Sequence, residues 1–468
     1  MFTSICEQRR SFLTTIHRAR IGLHKPSETA ILLREIGVSP VKSLGQNFLH
    51  DRNLSRWIVD QICARPDDYV VEIGPGLGAL TGLLLETGAQ LLALEKDRRL
   101  AEFLAQHFAG DRLEVRHVDA LKFDVLTLFM NPSVKLIGNL PYYISSQLLF
   151  RFLEYPSPIC LAVLMLQKEM ADRLAAQPGT KDYGALSVLM QRHYHVKLLR
   201  RVPTAVFIPR PEVDSAVVRI TPRGPAELPD YDDELLVSLV RQAFSQRRKQ
   251  LGNVIASYID DWAAAARAVG VDAKARPETL SLEQWVGLTN YIRPMSGQTP
   301  ASEAQESFPV VDDSDHFLYS APRVKVHGDN LRHRAVHILV FNKKGEIFLQ
   351  KRSRWKDRHP SLWDSSAAGH VMAGEEYEQA AQRELHEELG IQGALERIVK
   401  LPASERTGQE FIWLYCTGYD GEIFPNRSEI ELGRYFQPVI VTGWIASRPD
   451  DFAPGLIECW KAYLDRCR

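Results

Sequence analysis

Cysteine is scarce in this sequence, and what there is forms no pattern: Cys6, Cys63, Cys160, Cys416, Cys459 and Cys467 are six in 468 residues, without CxxC spacing. Neither a disulfide framework nor a cysteine-built zinc site is indicated, and a reducing cytosol suits the scatter. Long apolar runs are missing too. None approaches the roughly 20 residues that span a bilayer, so no membrane partner is expected. Net charge is almost absent, with 57 Lys and Arg against 58 Asp and Glu. A chain that neutralises phosphate over its whole surface carries a basic excess, so any nucleic-acid surface here must be a local patch.

What is present fits a globular chain of more than one domain. The apolar share is 45% and the charged share 25%, both ordinary, while the length exceeds what one hydrophobic core supports. Residues 1–24 hold Arg9, Arg10, Arg18 and Arg20 against a single acid, Glu7. They read either as a short basic extension or as an organelle-targeting segment; a bacterial cytoplasm is expected, with the mitochondrion as the alternative.

Hydrophobic patterning then sets an order of elements. A helix is predicted over 27–36, with Ser27 as its cap and Gly37 closing it. Apolar runs at 69–73, 91–94, 113–118, 134–137 and 161–166 alternate with amphipathic stretches, the pattern of a parallel doubly wound α/β sheet over 25–221. Helices at 234–244, 246–258 and 282–292 predict a small helical domain over 222–292. Residues 293–307 have linker chemistry, rich in Pro, Ser, Gly and Gln. Over 308–468, AVHILVFN and EIFLQKR flank a KKG turn as a hairpin and 375–389 reads as one helix, which makes this half α+β.

The chemistry of the first half begins at VVEIGPGLGALT, a strand running into Gly74, Gly76 and Gly78, where backbone can approach a ligand closely. Glu95 closes the next strand, placed to accept ribose hydroxyls. Those two features do not choose between cofactors. Asp119 after the third strand, the tetrapeptide Asn139-Leu140-Pro141-Tyr142 after the fourth and the earlier GQNFLHD complete a set that resembles the rRNA adenine dimethyltransferases from Lys25 to about Ile292. The resemblance implies a Rossmann-like fold that binds S-adenosylmethionine through Asn47, Leu49, Gly74, Glu95, Asp119 and Asn139. It also implies small-subunit rRNA within a pre-30S particle as partner, with two adjacent adenines near the 3′ end as target.

The tetrapeptide has a chemical reason. An adenine exocyclic amine is a poor nucleophile while its lone pair is delocalised into the ring. The Asn139 side-chain oxygen and the Leu140 carbonyl could each accept one N–H and so free that lone pair, Pro141 fixes the turn, and Tyr142 offers a face on which the extruded base stacks. Phe207 in VFIPRP sits where the family places a second aromatic, a role that competes with ordinary core packing. Arg247, Arg248 and Lys249 fall on a predicted helix, where they make either an rRNA contact or a solvated face; Arg210, Arg219 and Arg241 would extend the patch.

The second half contains GHVMAGEEYEQAAQRELHEELGI, Gly369 to Ile391, which matches every defined position of G-x5-E-x7-R-E-U-x-E-E-x-G-U. Glu384, Glu387 and Glu388 stand at i, i+3 and i+4 on one helix face. Three carboxylates there repel one another unless a hard cation such as Mg2+ or Mn2+ neutralises them while binding diphosphate oxygens. The motif is similar to the Nudix box and implies an α/β/α sandwich and a hydrolase acting on a diphosphate small molecule, with Glu384 catalytic and the Gly369 carbonyl as an added ligand. Arg383 and Glu375 read as a structural pair.

The flanks LRHRAVHILVFN and LQKRSRWKDRHPSLWDSSAAGHV resemble the Nudix branch that contains isopentenyl diphosphate isomerase. Those isomerases carry a catalytic cysteine where this chain has Ala368, which favours hydrolysis. By the same resemblance His333 and His370 match metal-binding positions, though each could be a bystander. Glu410, Glu429 and Glu431 are candidates for a further carboxylate. The alternative to a bifunctional enzyme is a ribosome-assembly or RNA-binding factor with a non-hydrolytic or isomerase-like Nudix module. A monomer is expected.

Overall fold

The structure is a computed structural model that describes residues 26–39, 46–224, 227–246, 248–294 and 306–466. The basic extension of residues 1–24, Arg247 and most of the expected linker lie outside the described residues. Two compact units result, the first ending at Ile292 and the second taking up the chain from Arg293. No described helix is long and apolar enough to cross a membrane.

Among the described residues the first unit is built on nine strands: β1 (Phe48–Leu49), β2 (Tyr69–Ile73), β3 (Gln90–Glu95), β4 (Leu113–His117), β5 (Val134–Asn139), β6 (Ile159–Gln167), β7 (Tyr194–Val202), β8 (Phe207–Ile208) and β9 (Ser215–Pro222). The main sheet runs β4-β3-β2-β5-β6-β9-β7, parallel as far as β6 and antiparallel over β9 and β7. The antiparallel end departs from the expected all-parallel sheet. Crossovers leave β2 to one side for β3 and β4 and to the other for β5 and β6, so chain order reverses between β2 and β5. Ligands of open α/β sheets bind at such a switch point, outside the carboxyl ends of the strands.

Local chemistry fixes the elements around it. Helix Arg52–Ile62 starts where the Asp51 carboxylate accepts the Leu54 N–H at 2.9 Å and ends at Cys63 in the left-handed region. Helix Arg98–His107 is capped by Asp97, directly after Glu95 closes β3. The first predicted helix spans Pro26–Glu35, which puts Ser27 inside it rather than at its cap.

The helical core gathers Leu236, Leu239, Trp285 and Val286 with Tyr183 and Val188. It therefore begins earlier in the chain than residue 222, because helix Ala185–Gln191 packs into it. Helices Asp233–Ser245 and Leu282–Ile292 form as expected. The helix expected over 246–258 contracts to Leu251–Val254, and Trp262–Ala268 forms one that was not expected.

The second unit adds β10 (Ser307–Val311), β11 (Phe317–Pro322), β12 (His333–Phe341), β13 (Ile347–Arg352), β14 (Trp363–Asp364), β15 (Ala367–His370), β16 (Glu396–Leu401), β17 (Glu410–Gly418) and β18 (Ile430–Phe436). Beyond the KKG turn, β12 and β13 pair only at Val340–Phe348 and Phe341–Ile347. The expected hairpin then splits, since β12 leaves to pair with β15 and, in parallel, with β17. Val336, Ile338 and Val340 enter a core with Ala381 and Leu385 of helix Tyr377–Leu389, which Gly390 closes in the left-handed region at φ +68°.

Strands β2 and β5 are paired at Ile73 and Gly138, where an added Cβ would stand 2.6 Å from the Ile73 carbonyl oxygen. Backbone cannot yield there as a side chain would. Gly138→Ala is expected to cost about 1–3 kcal/mol, read as a lower denaturation midpoint of the first unit; an unchanged midpoint contradicts this packing.

Candidate functional site

Gly74 follows β2 in the left-handed region, at φ +65°, and Gly78 is required by packing, because a Cβ there would meet the Phe108 ring at 2.3 Å. The loop so formed faces the end of β5. A cavity at this switch point is lined by Asn47, Gly74, Glu95, Asp119 and Asn139, with Lys96, Pro141 and Tyr143. Leu49 lines a smaller adjoining cavity together with Asn47, Gly74 and Asn139. The six residues expected to hold the cofactor are thus gathered at one end of the sheet.

Asn139 donates Nδ2 to the Asn47 carbonyl at 2.9 Å, which orients its amide and leaves Oδ1 as an acceptor. Glu95 accepts the Gly76 N–H at 3.2 Å and the Asp97 N–H at 2.8 Å on separate oxygens. Burial pushes its carboxyl up. Asp119 is held low by Lys96, whose ammonium lies 2.8 Å away, and accepts the Leu121 N–H on its other oxygen. Lys96 was missed in sequence; its place directly after Glu95 carries no signal of its partner 23 residues on.

The aromatic expectations divide. Tyr142 is half-buried, with its hydroxyl 2.6 Å from the Ser215 hydroxyl, while Tyr143, 51% exposed, is the tyrosine that lines the cavity. Phe207 is corrected: it is 1% exposed and packed with Leu49, Ile58 and Val217, so it presents no face to a base in this structure. The basic cluster is corrected as well. Arg248 and Lys249 are exposed in the turn before Leu251 and not on a helix, Arg247 lies outside the described residues, and Arg219 leaves the patch because it donates to the Gln61 carbonyl at 2.7 Å.

In the second unit a cavity of about 530 Å³ is lined by Gly369, His370, Glu384, Glu387, Glu410 and Glu429, among others. Arg383 grips both oxygens of Glu375 and reaches Glu384 at 2.7 Å, Glu387 at 3.1 Å and the His370 carbonyl at 2.9 Å, the structural pairing expected of it. Glu388 accepts from the Gln350 amide and the Ala368 N–H, each at 3.0 Å. Gly369 admits no side chain, since a Cβ would lie 2.1 Å from the Glu384 carboxyl carbon.

Burial lifts Glu384 to about 7, against the pull of Arg383 and helped by Glu429, and lifts Glu388 well above the carboxylate range. Against burial, Lys356 at 2.8 Å keeps Glu429 low. Glu429 is therefore the third carboxylate facing the two buried ones of the box, a choice the sequence left open. Buried oxygens crowded in this way, short of positive charge, are the donor set that a hard divalent cation fits. Glu431 pairs with Lys351 at 3.1 Å instead.

Glu410 belongs to a separate group. His327, His333 and His370 bring ligand nitrogens within 4.8 Å of one another. His333 is fully buried, its Nδ1 bonded to the Leu331 carbonyl at 2.8 Å and its Nε2 without a hydrogen bond. The Nδ1 bond fixes the tautomer that leaves a lone pair on Nε2. Glu410 Oε1 stands 3.3 Å from His370 Nε2 and 3.5 Å from His333 Nε2. Burial drives His370 down to about 3. His327 was missed in sequence, six residues before His333 and outside the box.

Comparison with known proteins agrees with both halves. The family description "Ribosomal RNA adenine dimethylase" matches residues 39–293 and "NUDIX domain" matches residues 331–449. The chain is similar to the ribosomal RNA small subunit methyltransferase A of Laribacter hongkongensis, 47% identical over 54% of this chain and 95% of that one. It is 44% identical to the same-named protein of Alcanivorax borkumensis, over 54% and 90%, and 38% identical to that of Geobacillus thermodenitrificans, over 58% and 97%.

Glu72, next to the last residue of β2 and 1% exposed, accepts the Thr81 hydroxyl at 2.7 Å, and burial lifts it from 4.5 to about 8. Between those values the folded chain holds a proton that the unfolded chain has released. Stability from this group is therefore greatest below the lower value and falls as pH rises toward the upper, by roughly 1.4 kcal/mol per pH unit. Glu72→Gln keeps an acceptor for Thr81 and is expected to flatten the decline in melting temperature between pH 5 and pH 8; an unaltered slope rules this assignment out.

Proposed function

We propose, for a chain that belongs to the ribosomal RNA adenine dimethylase family and carries a NUDIX domain behind it, that the first unit dimethylates two adjacent adenines near the 3′ end of small-subunit rRNA. The observation that carries this reading is the oriented Asn139 amide at the switch point, with Oδ1 left to accept. S-adenosylmethionine, when bound, supplies an electrophilic methyl group. Asn47, Leu49, Gly74, Glu95 and Asp119 would hold it, Glu95 at the ribose and Asp119 at the adenine amine.

Asn139 Oδ1 and the Leu140 carbonyl draw the two amine hydrogens of the target base out of its ring plane, so that the nitrogen lone pair points at the methyl donor. Leu140 itself is buried, and its N–H is tied to the Met165 carbonyl at 3.0 Å, which holds that carbonyl's position. Tyr142 or its neighbour Tyr143 stacks on the extruded base. Arg248 and Lys249 contact rRNA phosphates, and a bacterial cytoplasm is the compartment.

The second unit, on the same reading, hydrolyses a diphosphate-containing small molecule, a nucleoside diphosphate derivative or a relative of one. Glu384, Glu387 and Glu388 with the Gly369 carbonyl, joined by Glu429, would hold Mg2+ or Mn2+, which supplies electrostatic activation of phosphorus, and Arg383 orients Glu384 and Glu387. Ala368 leaves no thiol for isomerisation, although the flanks resemble those of the isomerase-like branch. The His327, His333, His370 and Glu410 group would hold a second, softer ion.

Labelled methyl transfer to undermethylated small subunits tests the first unit: Asn139→Ala is expected to lose at least 100-fold in rate at saturating cofactor, beyond any loss of cofactor affinity from its place in the cavity wall, and equal labelling would sink the assigned role. A panel of nucleoside and isoprenyl diphosphates tests the second. Glu388→Gln is expected to abolish Mg2+-dependent release of phosphate, while His333→Asn removes a transition ion counted by elemental analysis; hydrolysis unaffected by Glu388→Gln would overturn the site.

A further inference from the structure

The edge strand β7 has the sequence YHVKLLRRV, with four basic side chains and no acid. His195, Lys197, Arg200 and Arg201 are all exposed. His195 is taken by Glu227 at 2.6 Å, and Arg201 reaches Asp172 only at 3.7 Å. Among the described residues, neither Lys197 nor Arg200 has a carboxylate within ion-pair distance. The guanidinium of Arg200 instead lies 5.3 Å from the centre of the half-buried Trp57 ring, on helix Arg52–Ile62. That contact positions the arginine without neutralising it.

Register connects this edge to the reacting end of the sheet. Asn139 pairs with Met165, Met165 with Val217, and Val217 with Arg200. Arg200 therefore stands in the same row as Asn139, three strand spacings away, about 14 Å at about 4.8 Å each. Along a stacked nucleic-acid strand that is on the order of four nucleotide steps at 3.4 Å. The pairing of β7 with β9 shifts between Leu198 and Arg200, so Leu199 is an extra residue and the strand is bulged. Bulges re-aim side chains beside active sites. Here Leu199 turns into the core that also contains Val202 and Val217, and the two arginines follow it at the edge.

We propose that the bulged edge of β7 is a phosphate-tracking surface, on which Lys197, Arg200 and Arg201 hold the ribose-phosphate backbone of the rRNA strand that leads to the adenine at Asn139. This rests on reading the first unit as an rRNA methyltransferase. Charge complementarity selects RNA as the occupant, because exposed cations, of which Lys197 and Arg200 have no carboxylate within ion-pair distance among the described residues, suit a polyanion and repel a basic partner. Cations on an edge strand also discourage edge-to-edge pairing with another chain, and the experiment separates that use from this one.

The full chain carrying Lys197→Gln, Arg200→Gln and Arg201→Gln is compared with wild type and with a Lys343→Gln/Lys344→Gln control that also loses positive charge. Binding of a fluorescent 12-nucleotide oligouridylate is followed by anisotropy across a salt series, and S-adenosylhomocysteine affinity reports that the site is folded. The triple variant is expected to bind the oligonucleotide at least tenfold more weakly, with a log–log salt slope shallower by about 2 at roughly 0.7 per phosphate, and with cofactor-product affinity unchanged. Oligonucleotide affinity and slope equal to wild type overturn the proposal, as does an equal loss in the control; self-association of the triple variant with RNA affinity intact assigns the charges to edge protection instead. Methyl transfer to small subunits is measured in parallel. If wild type binds the oligonucleotide through β7 yet transfers no methyl group, the surface stands and the choice of rRNA target falls.

Discussion

The Asn139 amide donates to the Asn47 carbonyl across 2.9 Å, and the first unit is arranged so that this bond can form. Asn139 stands at the last residue of β5, beside the switch point. Asn47 belongs to a loop far away in sequence, held in place by the pairing of β1 with β8 and by the His50 N–H on the Val206 carbonyl. Once the bond is made, the cavity at the switch point has a fixed wall and Asn139 Oδ1 is an acceptor that cannot rotate. Preorganisation of this kind costs no rearrangement at the moment of reaction.

The second unit is governed by the opposite economy of charge. There the sequence places carboxylates where burial raises them, and little protein charge is supplied to relieve it: Arg383 is engaged by Glu375, and Lys356 is engaged by Glu429. Gly369 lets β15 pass against Glu384 without a side chain between them. The missing Cβ lets the Glu384 carboxyl pack against β15, and crowding and burial together keep these carboxyls short of compensating charge. The histidine group beside it differs in kind, with imidazole nitrogens, softer donors than carboxylate oxygens, brought together.

Much of this was legible locally. Strand β2 and helix Leu282–Ile292 fall where apolar periodicity put them, and the box helix ends at Leu389, where Gly390 can take the left-handed region. What escaped depended on distance in the chain or on a compromise of patterns. Strands β7 and β9 interrupt the βα alternation, and in β7 charged residues hide the strand period behind a bulge. Phe207 reads as a stacking group or as core with equal ease, and only the pairing of β8 with β1 decides for core. Glu410, Glu429 and Glu431 look alike in sequence, yet Glu410 at the start of β17 meets histidines, Glu429 just before β18 meets buried glutamates, and Glu431 within β18 meets a lysine.

Net charge illustrates the same limit. The formal value of −1 counts every Asp and Glu as ionised, but burial lifts Glu72 to about 8. Carboxyls that keep their protons contribute no field outside the protein, so the charge presented to a partner is more positive than the count. The ionised acids are also spent locally: Asp119 on Lys96, Asp233 on Arg192, Glu86 on Arg56. Cations left over at an edge such as β7 then face solvent with little opposing charge, which is how a chain of nearly zero formal charge can still present an attractive face to a polyanion.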